Sequence, residues 1–107
     1  MITIDDFRKL NILIGTIEKV EDIEGSEKLY RFEISIGEEK RQILGGLKTS
    51  YSKDELLGKQ VVVLVNLEPR MIMGMESQGM ILAASDDEGK AIILQPLKEV
   101  KSGSVVR

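Results

Sequence analysis

One loop in the second half of the chain contains the side chains best suited to bind a ligand. Asn66 and Arg70 flank Pro69, whose fixed φ and missing N–H stiffen the chain after an apolar strand. An arginine presents a planar fork that suits phosphate, and an asparagine amide can reach a sugar or a base edge. Ser77 and Gln78 add further donors. We predict that Asn66 and Arg70 hold their polar groups outward, and that all four side chains contact a ligand that carries phosphate groups.

Three cations elsewhere are further candidates for phosphate contact. Lys28 follows the residues Gly25-Ser26-Glu27 in a polar loop, for which the alternative is an ordinary solvated turn. Lys40 and Arg41 lie at the start of a predicted strand, where they could instead discourage pairing between sheet edges. The net charge of the chain is −3, but residues 28–80 are net basic, with 8 basic and 7 acidic side chains. The central segment is therefore the part of the chain best suited to a polyanion.

Met71, Met73 and Met75 alternate along the same loop. In an extended loop these three side chains would share one face. Methionine readily fills irregular gaps in a core, and it also forms adaptable apolar surfaces. The stretch could therefore be core, an interface with a second subunit, or a groove for an unfolded peptide.

The composition excludes most catalytic sites. The chain contains no Cys and no His, so disulfides, thiolate or imidazole metal sites and His-based triads are absent. No glycine-rich phosphate motif accompanies the carboxylates. We expect no catalytic residue, no metal and no cofactor, and we predict that the chain is not an enzyme by itself.

Length and hydropathy indicate one domain over residues 1–107. No apolar run approaches the roughly 18 residues of a membrane span, and the first residues lack the pattern of a secretory signal. We therefore expect a soluble, cytoplasmic chain with no membrane partner.

The hydrophobic pattern predicts an all-β fold with short helices. Period-2 alternation is clearest where Tyr30, Phe32, Ile34 and Ile36 alternate with polar residues. The predicted strands are Leu10–Val20, Tyr30–Ile36, Lys40–Leu44, Gln60–Val65, Met80–Ala84 and Ala91–Leu94, and the predicted helices are Ile4–Lys9 and Ser52–Leu57.

Three details of these elements depend on glycines and caps. We expect Gly15 to bend the first strand, and Gly45-Gly46 to form a bulge or a turn with positive φ. Ser52 and Glu55 form a capping-box pattern, and Gly58 is placed to end a helix of about two turns.

The predicted element order is three strands, a helix, and two further strands with an added hairpin partner. This is the order of an OB-fold, a five-stranded Greek-key barrel. Here the helix lies between strands 3 and 4, and short extensions lie at both ends. Ligands of this fold usually meet strands 2 and 3 and the loops between strands 1 and 2 and between strands 4 and 5. Those loops are residues 21–28 and 66–79. The candidate polar residues thus fall on the binding side.

Several separated motifs resemble the tRNA-binding domain found at the C-terminus of methionyl-tRNA synthetases and in stand-alone structure-specific tRNA-binding proteins. The motifs are Asp5-Asp6-Phe7, Asn11 to Gly15, Glu24-Gly25-Ser26-Glu27-Lys28-Leu29, Lys40-Arg41-Gln42, Gly45-Gly46, Asn66-Leu67-Glu68-Pro69-Arg70, Glu76-Ser77-Gln78-Gly79-Met80 and Ala83-Ala84. Many members of that family have a basic residue at the position of Met71, so one expected phosphate contact is missing.

The resemblance implies a noncatalytic, free-standing β-subunit that associates with a methionyl-tRNA synthetase catalytic subunit. It further implies a homodimer that binds the outer corner of folded tRNA. Our candidates for the dimer interface are Ile4, Phe7, Met71, Met73, Met75 and Val100. The alternatives are a peptide-binding chaperone of the same fold and a domain that only docks synthetase subunits together.

Overall fold

The computed structural model describes all 107 residues. Loops connect nine strands and two one-turn helices. No helix is long and apolar enough to cross a membrane. In chain order the elements are α1 (Ile4–Phe7), β1 (Ile12–Asp22), β2 (Tyr30–Ile36), β3 (Glu39–Gly45), α2 (Lys53–Leu56), β4 (Gln60–Leu64), β5 (Arg70–Ile72), β6 (Met75–Ser77), β7 (Met80–Ile81), β8 (Ala83–Ser85) and β9 (Ala91–Ile93).

Five of these strands form one antiparallel sheet in the order β3-β2-β1-β4-β7. The sheet curls into a half-barrel, and α2 connects β3 to β4 as predicted. The hairpins β5–β6 and β8–β9 form two smaller sheets. The predicted OB-fold is confirmed.

The inner face of the curled sheet encloses the main core. Along β2 every second side chain is buried, and Phe32 and Ile34 have no solvent exposure. They pack with Ile43, Val61 and Val63 from the neighbouring strands. The period-2 pattern therefore predicted the buried face of β2 correctly.

The outer face has a smaller apolar cluster that the two chain ends cover. Ile12, Ile14 and Val62 are buried there, with Phe7 and Val106 packed against them. The C-terminal segment also extends the sheet, because Ile14 N–H donates to the carbonyl of Ser104 at 2.8 Å and Val106 N–H donates to that of Ile12 at 2.9 Å. The N-terminal and C-terminal extensions thus meet on one outer face.

The irregular pairing of β1 lies three residues beyond Gly15. The pairing of β1 with β2 shifts register between Ile17 and Lys19, so the bulge is at Glu18. Gly15 is a close-packing position, because a Cβ atom there would lie 2.5 Å from Ile34 Cγ2. β1 also changes partner beside Gly15, because its residues 12–16 pair with β4 and its residues 16–22 pair with β2. The bend at Gly15 stays a prediction.

The Gly45-Gly46 prediction is wrong, whereas the capping predictions are confirmed. Gly45 has no positive φ and pairs with Tyr30 at the end of β3. The Ser52–Glu55 capping box is present, and its backbone hydrogen bond lowers the pKa of the Glu55 carboxyl. Gly58 follows α2 and has a φ of +83°. The helix itself is one turn long instead of the predicted two.

The predicted open loop after β4 contains a hairpin. β5 and β6 pair from Arg70–Ser77 to Ile72–Met75, and Met73-Gly74 form a two-residue turn. Met71 lies opposite Glu76, and Met73 lies in the turn. The three alternating methionines therefore do not share one face, contrary to the prediction for an extended loop.

Candidate nucleic-acid interface

Ser77 is a buried residue of the barrel wall. It is 1% exposed, and its Oγ accepts a hydrogen bond from Leu44 N–H at 3.1 Å and donates to the carbonyl of Gly79 at 3.1 Å. The hydroxyl predicted as a donor to the ligand is therefore directed into the barrel wall. Its two bonds satisfy backbone groups at the edge of β3 and just after β6, both of which would otherwise be buried without partners.

Gln78 continues the same connection between β3 and the end of the β5–β6 hairpin. Its Oε1 accepts from Gln42 N–H at 3.0 Å, and its own backbone N–H donates to the carbonyl of Gln42 at 2.8 Å. The side chain of Gln42 in turn donates to the carbonyl of Glu76 at 2.8 Å. The amide of Gln78, predicted as a donor to the ligand, is therefore directed at β3.

Arg41 is largely enclosed, with a quarter of its side chain exposed. Its guanidinium donates to the carbonyls of Val65 at 2.5 Å and Gln78 at 3.1 Å, and it pairs with the carboxylate of Glu39. These bonds link the end of β4 to the β3 edge. The planar fork that suits phosphate is used here for backbone carbonyls.

Asn66 connects the end of β4 to the segment before β1. Its Oδ1 accepts from Asn11 N–H at 2.8 Å, and its Nδ2 donates to the carbonyl of Lys9 at 2.7 Å. Although the residue is exposed, its amide oxygen and one amide proton are already engaged by backbone groups. The predicted free outward amide is not observed.

Lys40 lies across three strands at the edge of the bulge. Its Nζ is 3.0 Å from a carboxylate oxygen of Glu18 and 3.7 Å from one of Glu33. The hydrogen bond to Glu18 raises the pKa of the Lys40 ammonium. The charge of Lys40 is therefore compensated by two carboxylates on the sheet surface.

Lys28 and Arg70 are the two predicted contact residues whose charged groups have no partner. Both are exposed, and neither forms an ion pair or a side-chain hydrogen bond. Nine of the fifteen basic side chains form ion pairs, and the other four that do not are Lys59, Lys98, Lys101 and Arg107. Of the unpaired cations, Lys28 and Arg70 are therefore the two in loops 21–28 and 66–79, for which the sequence predicts ligand contact.

A broad cleft of about 920 Å³ lies beside Lys28. Its walls are the loop 25–29, the residues Gly46 and Thr49 after β3, and the β8–β9 turn 88–91. Lys90 also lines it, paired with Glu88 at 3.7 Å. The contribution of the β8–β9 turn was missed from the sequence, because nothing in the local pattern indicates which loop it approaches.

The β5–β6 hairpin meets this loop side through one methionine. A Cβ atom on Gly25 would lie 3.8 Å from Met73 Cε, so the turn of the hairpin lies next to the loop that carries Lys28. Arg70 is the first residue of the same hairpin. The two unpaired cations thus belong to adjoining segments.

No cluster of three or more acidic side chains has the arrangement of a metal site.

The sequence is similar to parts of larger enzymes. The methionine–tRNA ligase of Archaeoglobus fulgidus is 52% identical over 105 residues, which are 98% of this chain and 16% of that protein. The methionine–tRNA ligase of Caldanaerobacter subterraneus subsp. tengcongensis is 47% identical, again over 98% of this chain and 16% of that protein. The chain spans about a sixth of the length of these curated relatives.

Solved structures of similar size share the whole fold. A MetRS related protein from Pyrococcus horikoshii has a TM-score of 0.93 and 33% identity, over 100% of this chain and 98% of that one. A CsaA chaperone protein from Picrophilus torridus has a TM-score of 0.91 and 30% identity, over 100% of both chains. The family model described as a putative tRNA binding domain matches residues 12–105. Since that match covers most of its length, the chain belongs to the family of tRNA-binding domains.

Proposed function

We propose that this chain is a noncatalytic module that binds the outer corner of folded tRNA as a homodimer. It assists aminoacylation by raising the local tRNA concentration at a synthetase catalytic subunit in the cytoplasm. The similarity to methionine–tRNA ligases favours methionyl-tRNA synthetase as that partner. The observation that carries the proposal is that Lys28 and Arg70 have unpaired charges on adjoining segments of the binding side.

Lys28 and Arg70 are the primary phosphate contacts in this proposal. An unpaired arginine can bind a phosphate with two parallel hydrogen bonds, and a lysine binds it as a point charge. Arg41, Ser77 and Gln78 hold the barrel wall that positions them. We therefore assign these three residues, together with Asn66, to support of the interface.

Two properties favour recognition of a folded RNA by its shape. The small number of unpaired cations limits the electrostatic attraction that dominates binding to any nucleic acid. Single strands usually stack their bases on exposed aromatic rings. Here Tyr30 and Phe32 are buried, and Phe7 and Tyr51 are partly buried. Backbone and 2′-hydroxyl contacts to a folded RNA fit this surface better.

The dimer contact is proposed at the outer face where the chain ends meet. Exposed apolar side chains are concentrated in these end segments, and Ile4 is 61% and Val100 37% exposed. Phe7 packs against the outer cluster of Ile12, Ile14 and Val62. Burial of these side chains against a second copy would remove apolar area from water and link two RNA-binding surfaces.

The second candidate function is binding of unfolded peptides. The TM-score of 0.91 with a CsaA chaperone protein and the 69% exposure of Met71 favour it. In that case the methionines of the hairpin, Met75 included, supply adaptable apolar contacts. A domain that only docks synthetase subunits is the third reading, and it predicts no direct affinity for either ligand.

A titration with three ligands separates these functions. The chain is titrated with three ligands at low and high salt: folded tRNA, the same tRNA after denaturation, and an unfolded peptide. We expect the folded tRNA to bind more tightly than both of the others. Equal affinity for folded and denatured tRNA would contradict recognition of shape, and a preference for the peptide would favour the chaperone function. A light-scattering mass of a monomer at the concentrations used would contradict the dimer.

A further inference from the structure

Met73 has an unusual backbone conformation. Its φ is +51°, and it is the only residue other than glycine with a positive φ in the chain. A two-residue hairpin turn whose residues both have positive φ strongly prefers Asn-Gly, Asp-Gly or Gly-Gly, and a bulky residue at the first position is strained. Strain of this kind is typical of functional sites, where a side chain is needed despite its cost to stability.

The side chain of Met73 lies next to the cationic loop. Its Cε lies 3.8 Å from the position that a Cβ atom on Gly25 would occupy, while half of the residue (51%) is exposed. Met73 lines neither the cleft beside Lys28 nor the smaller one of about 360 Å³ beyond Pro69 and Glu76. The exposed Met73 side chain at the hairpin tip, called the ridge below, therefore lies outside both clefts. An apolar group outside a groove is suited to a flat surface more than to an extended chain.

The charges near this ridge indicate what kind of ligand it meets. Arg70 lies at the start of the hairpin, and Lys28 lies in the loop next to the Met73 side chain. Both cations lack partners, so a ligand complementary to this surface carries anionic groups near a flat apolar one. A nucleotide has this combination, with phosphates flanking a base. An unfolded peptide carries no obligatory negative charge that would use both cations.

We propose that Met73 packs against the exposed face of a nucleobase in folded RNA, while Arg70 and Lys28 contact the flanking phosphates. The inference rests on the proposed tRNA-binding function and adds an apolar base contact to it. The surface offers no exposed aromatic ring for this purpose. Methionine supplies a polarizable thioether that packs favourably on aromatic groups.

The substitution Met73→Asn tests the proposal with little risk to the fold. Asparagine tolerates positive φ, so the turn of this variant should be more stable, with a higher Tm than the original chain. The affinity for folded tRNA should nevertheless fall about tenfold, near the low end of base-stacking contributions. The matched control is Leu57→Gln, which alters an exposed apolar side chain at the end of α2, outside the proposed contact surfaces, and should leave the affinity within about twofold.

The outcomes distinguish this inference from the function on which it rests. An unchanged tRNA affinity for Met73→Asn, with a loss of affinity for Arg70→Ala, would overturn the base contact alone. A loss of peptide binding with intact tRNA binding would also overturn it and would assign the ridge to peptides. If the unaltered chain shows no preference for folded tRNA, the proposed function itself fails.

Discussion

The Ser77 hydroxyl accepts a hydrogen bond from the backbone N–H of Leu44, 33 residues earlier in the chain, at 3.1 Å. This bond takes the place of a strand-pairing bond, because it satisfies a donor at the open edge of β3. Gln78 repeats the arrangement with Gln42 at 3.0 Å. The polar residues after β6 therefore close the barrel wall and hold the hairpin that carries Arg70.

Replacement of Ser77 by alanine should lower stability without weakening RNA binding by the folded protein. The buried N–H of Leu44 and carbonyl of Gly79 would lose their partner, which costs about 1–3 kcal/mol of the free energy of unfolding. Urea denaturation measures this loss. Ser85→Ala, at an exposed position of β8, is the control and should change it by less than about 0.5 kcal/mol. A stable Ser77→Ala variant that no longer binds tRNA would restore Ser77 as an RNA contact.

Two variants of Asn66 should separate the contribution of its amide N–H donor to stability from that of its amide oxygen acceptor. Asn66→Ala removes the bonds to Asn11 and Lys9 and should cost about 1–2 kcal/mol. Asn66→Asp keeps the acceptor for Asn11 N–H and should cost less. Hydrogen exchange at the Asn11 amide should accelerate in the alanine variant and stay slow in the aspartate variant. Equal exchange in both variants would mean that the 2.8 Å bond to Asn11 contributes little.

Gly15→Ala should destabilise the barrel much more than Gly46→Ala. A methyl group at position 15 would lie 2.5 Å from Ile34 Cγ2 in the core, whereas at position 46 the nearest atom is 4.0 Å away. Overpacking of this kind costs about 1–3 kcal/mol. Thermal unfolding of both variants checks the difference. A similar Tm for the two would show that β1 can shift away from β2 at low cost.

Asp22 should contribute to the loss of stability in acid. Its hydrogen bonds with Lys53 and Lys48 lower the pKa of its carboxyl in the folded state. A carboxyl with a lowered folded pKa stabilises the protein above its unfolded pKa of about 4, and this contribution disappears as the pH falls further. Asp22→Asn should therefore lose less stability than the original chain between about pH 5 and about pH 2. Parallel curves for both proteins would contradict this role of Asp22.

The regular parts of the fold were predictable because their signals are local. The alternation from Tyr30 to Ile36 and the capping box of Ser52 and Glu55 each define an element within a few residues. The β5–β6 hairpin was not predicted, because Met73-Gly74 is not a turn pair that hairpins usually use. Its strands are also only three residues long.

The candidate site was predictable only in part for a different reason. Asparagine, serine, glutamine and arginine offer the same donors and acceptors to RNA as to backbone groups. Arg41 and Arg70 are therefore equivalent as residue types. The register that places Arg41 beside the carbonyl of Gln78, and leaves Arg70 unpaired, involves strands far apart in the chain. Sequence spacing alone does not contain that information.

The proposed function depends above all on contact between the unpaired cation of Arg70 and a phosphate of folded tRNA. The dependence of tRNA affinity on salt tests this contact in the original chain, in Arg70→Ala and in Lys59→Ala, whose unpaired cation lies at the opposite end of β4. Each neutralised phosphate steepens the slope of log affinity against log salt by roughly 0.7 to 0.9. Arg70→Ala should flatten the slope by about one such contact, and Lys59→Ala should leave it unchanged. An unchanged slope for Arg70→Ala would contradict the phosphate contact and the function proposed from it.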